Sequence, residues 1–159
     1  MVELIDQFFT NHLGVGAEEA ERLHQEYYRH YGLAIEGLVE HHQIDPLEYN
    51  RLVDDALPLE DIIRPDPRLR ALLADLDTQH VRPWLLTNAY VTHARRVVRL
   101  LEVEDRFEGL TYCDYAKIPI VCKPHKDMYA RAMREAGVVR TEDCYFVGIF
   151  FFISSFFPS

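Results

Sequence analysis

Apolar residues recur at helical spacing through the first third of the chain. Leu4, Ile5, Phe8, Phe9 and Leu13 mark one amphipathic helix ending at Gly14, a residue suited to closing it. Ala20, Leu23, Tyr27 and Tyr31 mark a second over Ala17 to Tyr31, stopped by Gly32. Ala34 to His42 reads as a short third helix, and Pro46 opens a fourth at a first-turn position that needs no N–H. Four helices joined by short loops suggest a small bundle. A proline-punctuated connection, Pro58 to Pro67, follows, and the pattern then changes. Leu69, Leu72, Leu73 and Leu76 predict a helix, and Val81 to Leu86 a buried strand. Ala94, Val97, Val98 and Leu101 predict a helix, and Gly109 to Tyr112 a weaker strand. Tyr129, Ala132, Met133 and Ala136 predict a last helix closed by Gly137, and Cys144 to Val147 a last strand. Strands alternating with helices imply βαβ units and a parallel sheet, so the fold class is α/β behind a helical module.

Composition narrows the partners. With 159 residues, 48% hydrophobic and 27% charged, the chain has the profile of one soluble globular domain. A formal net charge of -9 argues against non-specific nucleic-acid binding. Arg95, Arg96 and Arg99 fall on the polar side of a helix and read as a solvated face. Cys113, Cys122 and Cys144 form an odd set without a CxxC pair, which suits a reducing compartment, cytoplasmic or nuclear. Met1 opens no basic, then apolar, leader. From Tyr145 the chain becomes a Phe/Ile/Ser run, too short to span a bilayer, so no membrane partner is expected.

Ligands of open parallel sheets bind where strands end. Thr87 and Asn88 stand where the Trp84-Leu85-Leu86 run emerges, and a Thr hydroxyl with neighbouring N–H groups suits a phosphate oxygen. Both residues serve equally well as a helix start before Val91. Lys123 precedes Pro124 and a helix, a place for either a phosphate-binding or an ordinary surface lysine. Asp54 and Asp55 imitate a metal-binding strand end, yet they lie in the stretch opened by Pro46 and read as a solvated helix end. His41 and His42 are adjacent and cannot face one metal from a regular helix. No zinc spacing occurs among the eight histidines, and neither a GxSxG elbow nor a dinucleotide fingerprint is present.

At three sets of residues the chain resembles a known group. They are Leu33-Ala34-Ile35-Glu36-Gly37-Leu38 with His41-His42, Asp45-Pro46-Leu47-Glu48-Tyr49-Asn50 and Val53-Asp54-Asp55-Ala56-Leu57-Pro58-Leu59, then Leu86-Thr87-Asn88-Ala89-Tyr90, and then Gly109-Leu110-Thr111-Tyr112-Cys113-Asp114-Tyr115 with Cys122-Lys123-Pro124-His125. This pattern, from about Met1 to Val147, is similar to the fungal pyrimidine 5′-nucleotidases of the haloacid dehalogenase superfamily. The resemblance implies a Rossmann-like core with a helical cap: cap at 1–64, partial α/β core at 65–147, and an aberrant apolar tail at 148–159. It implies Mg²⁺-dependent hydrolysis of a small phosphate ester, a nucleoside monophosphate, through an aspartyl-phosphate. By position, Thr87 and Lys123 are the implied catalytic residues, and Thr87, Asn88 and Lys123 the phosphate-binding set.

The same resemblance sets an expectation of inactivity. The nucleophile motif is Asp-x-Asp after an apolar strand; here Asp75 and Asp77 have that spacing only within a predicted helix. The metal aspartates would follow Val147, where Gly148-Ile149-Phe150 stands instead, so no metal ligand is assigned. The chain is expected to lack the first, central strand of the core, with Ile149 to Ile153 β-prone enough to fill its slot. The run after Val147 is what a translated T-rich intron would encode, and Met1 reads as an internal methionine. A non-catalytic binding or regulatory protein and a mis-spliced product without function are the alternatives.

Overall fold

The computed structural model describes residues 2–148. The proposed slot-filling segment 149–153 therefore lies outside the described residues, as does the rest of the tail from Ile149. Helices α1 (Val2–Leu13), α2 (Ala17–Tyr31) and α3 (Ala34–His42) pack first, followed by α4 (Pro46–Tyr49) and a short α5 (Leu59–Ile62). Then come α6 (Pro67–Ala74), β1 (Trp84–Leu86), α7 (Val91–Leu100), β2 (Gly109–Thr111) and α8 (Lys126–Glu135). The expected α/β class is present as a parallel pair, with Trp84, Leu85 and Leu86 opposite Gly109, Leu110 and Thr111 and α7 as the crossover.

Local chemistry explains the boundaries. Asp45 accepts a hydrogen bond from the Leu47 N–H at 2.9 Å, and Pro46 fills the next position. α2 carries Glu18 and Glu19 in its first turn and Arg29 and His30 in its last, matching its dipole. Gly32 ends α2 in the left-handed region at φ 82°, its N–H donating to the Tyr28 carbonyl. A Cβ on Gly32 would lie 2.5 Å from the Lys123 carbonyl oxygen, so the helix end is also the point of closest approach to that loop.

Three expectations change. Val81 to Leu86 shortens to three half-buried residues, because Asp77 accepts from the N–H groups of His80 and Val81 and turns the chain before Pro83. Cys144 to Val147 is not a strand. Tyr145 and Val147 are 90% and 95% exposed and alternate with a half-buried Phe146, so the period of two survives without a ladder among the described residues. The helix expected at Leu69 to Leu76 forms but buries none of its residues, Leu72 being 65% exposed.

One buried cluster joins the chain's two halves. Ile5, Phe8, Phe9, Ile35 and Leu38 share it with Cys113, Tyr115, Ile120 and Cys122. Arg96, expected on a solvated face, ties the halves as well. Its guanidinium donates to Glu60 and to the backbone carbonyls of Asp55 and Leu57. Planar N–H donors suit such a fan of acceptors.

Candidate functional site

β1 ends at Leu86 and delivers Thr87 and Asn88 into the turn before α7. Thr87 extends the ladder by one bond, its N–H donating to the Thr111 carbonyl at 3.0 Å. Its hydroxyl oxygen accepts from the Ala89 N–H at 3.1 Å and keeps its own proton to donate. Asn88 reaches across to the Lys123 backbone. Its amide donates to the Lys123 carbonyl at 2.9 Å and accepts from the Lys123 N–H at 2.7 Å. Neither residue caps α7, whose first turn is preceded by Tyr90 with no side-chain cap. The helix-start alternative for this pair is not what the two side chains do.

Lys123 comes to the same strand end. Its ammonium donates to the Leu86 carbonyl at 3.1 Å and stands 5.8 Å from the Phe146 ring centroid. Burial holds this lysine below its usual value, because a half-desolvated ammonium has one carbonyl where water would supply several partners. An anion placed beside it would restore the charged form. Thr87, Asn88 and Lys123 are therefore together, with Asn88 holding the loop and Thr87 and Lys123 presenting donors.

Asp54 departs most from expectation. It is buried, not solvated, because the chain after α4 widens into a π-turn over Asn50–Asp54, closed by the Asp55 N–H on the Asn50 carbonyl at 2.8 Å. The extra residue rotates Asp54 inward and leaves Asp55 outside, where it accepts from Asn50 and Thr92. The buried Tyr115 hydroxyl lies 3.5 Å from the Asp54 carboxylate and 3.4 Å from the Asn88 carbonyl, linking Asp54 to the strand end. Burial raises the Asp54 carboxyl above its usual range, with His93 opposing. Tyr90 stacks on Tyr115 with ring centroids 5.3 Å apart. No spacing in the sequence announced this group; the π-turn was the missing information.

The other candidates have local partners. His41 and His42 bond to the hydroxyls of Tyr31 and Tyr27 at 2.6 and 2.7 Å. Tyr49 is buried edge-on against Phe8. Asp75 follows the last turn of α6, and Asp77 lies in the turn beyond, paired with His80. The cavity of about 590 Å³ lined by Arg70, Arg99, Glu102, Glu104 and Asp105 lies beyond the C-terminal end of α7, which returns toward the start of β2. It is thus at the opposite end of the sheet from Thr87, and its charges already pair, Arg70 with Asp105 and Arg99 with Glu104.

Magnesium takes oxygen ligands in near-octahedral order. Among the described residues, the ligating side chains that converge on one point are Glu36, Cys122 and His125, a mixed oxygen, sulfur and nitrogen set. That set does not fit Mg²⁺.

β1 thus ends at a Thr hydroxyl and a half-buried lysine ammonium, in an α/β fold that follows a helical module. The chain matches the haloacid dehalogenase-like hydrolases over residues 2–148, and it belongs to that family. It is also 39% identical over 156 residues to phosphate metabolism protein 8 of Saccharomyces cerevisiae. That match covers 92% of this chain and 48% of the relative, so the chain spans about half the length of the curated relative. No helix among the described residues is long and apolar enough to cross a membrane.

Proposed function

We propose that this chain forms the cap and phosphate-holding part of a hydrolase of nucleoside 5′-monophosphates, of the pyrimidine 5′-nucleotidase type. The observation that carries the reading is the two-way grip of Asn88 on the Lys123 backbone, which fixes an under-solvated ammonium beside Thr87 at the end of β1. A phosphate there would accept from the Thr87 hydroxyl and the Lys123 ammonium, with the N-terminus of α7 adding its dipole. The yeast relative's name places that protein in phosphate metabolism, which accords with this reading.

The 159 residues by themselves hold phosphate without cleaving the ester. Attack on phosphorus through an aspartyl-phosphate needs a strand-end carboxylate and a second carboxyl to protonate the leaving oxygen. No Asp-x-Asp follows an apolar strand in this sequence. Asp54 is the buried carboxyl nearest in linkage to the strand end, and it sits behind Tyr115.

The test uses the purified 159-residue chain with uridine 5′-monophosphate and Mg²⁺. No phosphate release above buffer is expected; turnover would overturn the non-cleaving part. Inorganic phosphate should raise the melting temperature of the native chain and not of Lys123→Ala. An equal shift in both, or none in either, would overturn the phosphate site.

A further inference from the structure

Outside the strand end, the cap and the lysine loop bring three metal-ligating side chains together. Glu36 comes from α3, Cys122 from the segment before Lys123, and His125 from the residue preceding α8. Cys122 Sγ lies 3.4 Å from Glu36 Oε2, and His125 Nε2 lies 3.2 Å from Glu36 Oε1. One ligand atom from each of the three falls within 4.8 Å of the others. With Zn–S near 2.3 Å and Zn–N and Zn–O near 2.0–2.1 Å, a tetrahedral ion spaces its ligands about 3.3–3.6 Å apart. Cys122 and His125 each contact a different oxygen of the one Glu36 carboxylate at close to those edge lengths, and the remaining edge lies within 4.8 Å. We infer that Glu36, Cys122 and His125 form a site for a zinc-class divalent ion that staples the cap to the lysine loop.

The donor set decides the class of ion. One thiolate, one imidazole and one carboxylate favour Zn²⁺ or Co²⁺ over the hard Mg²⁺, and three protein ligands leave a fourth position for water. Cys122 is buried, whereas His125 is about half exposed, so the ion has an inner anchor and an entry from solvent. On binding, the Cys122 S–H bond breaks, its proton passes to solvent, and the sulfur lone pair forms the metal–sulfur bond. Gly32, pressed against the Lys123 carbonyl, places the end of α2 at the same seam. The ion therefore joins two segments already in contact. The inference stands independently of the phosphate reading.

Cobalt is the probe, because a thiolate–Co²⁺ bond adds a charge-transfer absorption. The metal-free chain titrated with Co²⁺ should develop that band, lose it to Zn²⁺ and keep it in excess Mg²⁺. Cys122→Ser should abolish the band. His125→Ala, at a half-exposed position, should weaken Co²⁺ binding at least about tenfold, since even outer partners of metal ligands cost that much. Circular dichroism checks that each variant is folded, and Zn²⁺ should raise the melting temperature of the native chain but not of His125→Ala. No band, a band that survives in Cys122→Ser, displacement by Mg²⁺, or equal Zn²⁺ stabilisation of a folded His125→Ala would each overturn the site.

Discussion

Replacing Asn88 with Asp keeps the shape of the side chain and reverses one of its two functions. The native amide gives one hydrogen bond to the Lys123 carbonyl and receives one from the Lys123 N–H, at 2.9 and 2.7 Å. An Asp carboxylate keeps the second bond but sets an oxygen against the carbonyl in place of the first. A net hydrogen bond contributes about 0.5–1.5 kcal/mol, and a buried acceptor left without a donor costs about 1–3 kcal/mol. Asn88→Asp should therefore lose about 2 kcal/mol near neutral pH, despite being isosteric. Asn88→Ala, which breaks both bonds but opens room for water, should lose a similar amount. The two differ in acid. Facing a carbonyl raises the new carboxyl above the ordinary aspartate range, and once protonated it donates to that carbonyl. The stabilising protonated form is present in full below the unfolded value and lost as pH rises through the raised folded value. Urea denaturation of both variants and the native chain, repeated down through the carboxylate range, reads this out as the midpoint. If Asn88→Asp matches the native chain at neutral pH, or shows no recovery in acid relative to Asn88→Ala, the two-way grip is wrong.

The Asp54 carboxyl, raised by burial, works in the same direction: its folded form holds its proton more tightly than the unfolded chain, so it removes stability as pH climbs from the ordinary carboxylate range through the raised value. Asp54→Asn should flatten that fall, and a pH series of melting temperatures parallel to the native one would contradict the burial argument. Arg96→Ala should lower the urea midpoint more than Arg22→Ala, because the Arg96 side chain is 28% exposed and holds two backbone carbonyls, whereas Arg22 is 57% exposed and pairs with Glu19 and Glu26 on its own helix. Equal shifts would remove Arg96 from the seam. Gly109→Ala places a Cβ 2.1 Å from the Trp84 ring and should cost about 1–3 kcal/mol by overpacking, with a change in indole fluorescence as the ring moves. An unchanged spectrum would mean that the ring is not seated on Gly109.

Periodicity locates α2 and α3, which bury Ala20 and Tyr27 and Ala34, Ile35 and Leu38 and begin and end where the pattern places them, and it marks α6 although that helix buries none of its residues. It also brought Thr87, Asn88 and Lys123 forward, since a strand end followed by a helix is visible in one dimension. The function of Asn88 was not visible there: its partner is the backbone of a residue 35 positions away. Asp54 reads as solvated from a regular helical count, whereas the π-turn adds one residue to that count and turns the side chain by about 100°. Of the trio, Cys122 and His125 show only a lone Cys-x-x-His, and Glu36 stands on α3 more than eighty residues earlier, so the sequence does not join the three. At Tyr145 to Val147 the alternation was real, but a strand also needs a neighbour, which no local pattern encodes.

The buried cluster has a consequence for how the molecule comes apart. Phe9, Ile35 and Leu38 share their interior with Cys113, Tyr115 and Cys122, all essentially inaccessible to water. Detaching either half would wet side chains of both, at about 1.5–3 kcal/mol for each large one. The second half also buries Val98, Val103 and Met128 apart from that cluster, so the shared interior couples the halves without being their whole core. A protease cutting between Pro58 and Pro67 should nick the chain without releasing a fragment, and heating should give one transition whose calorimetric and van't Hoff enthalpies agree. Two separate transitions, or a fragment released by the cut, would mean that the shared cluster does not hold the helical module to the strand pair.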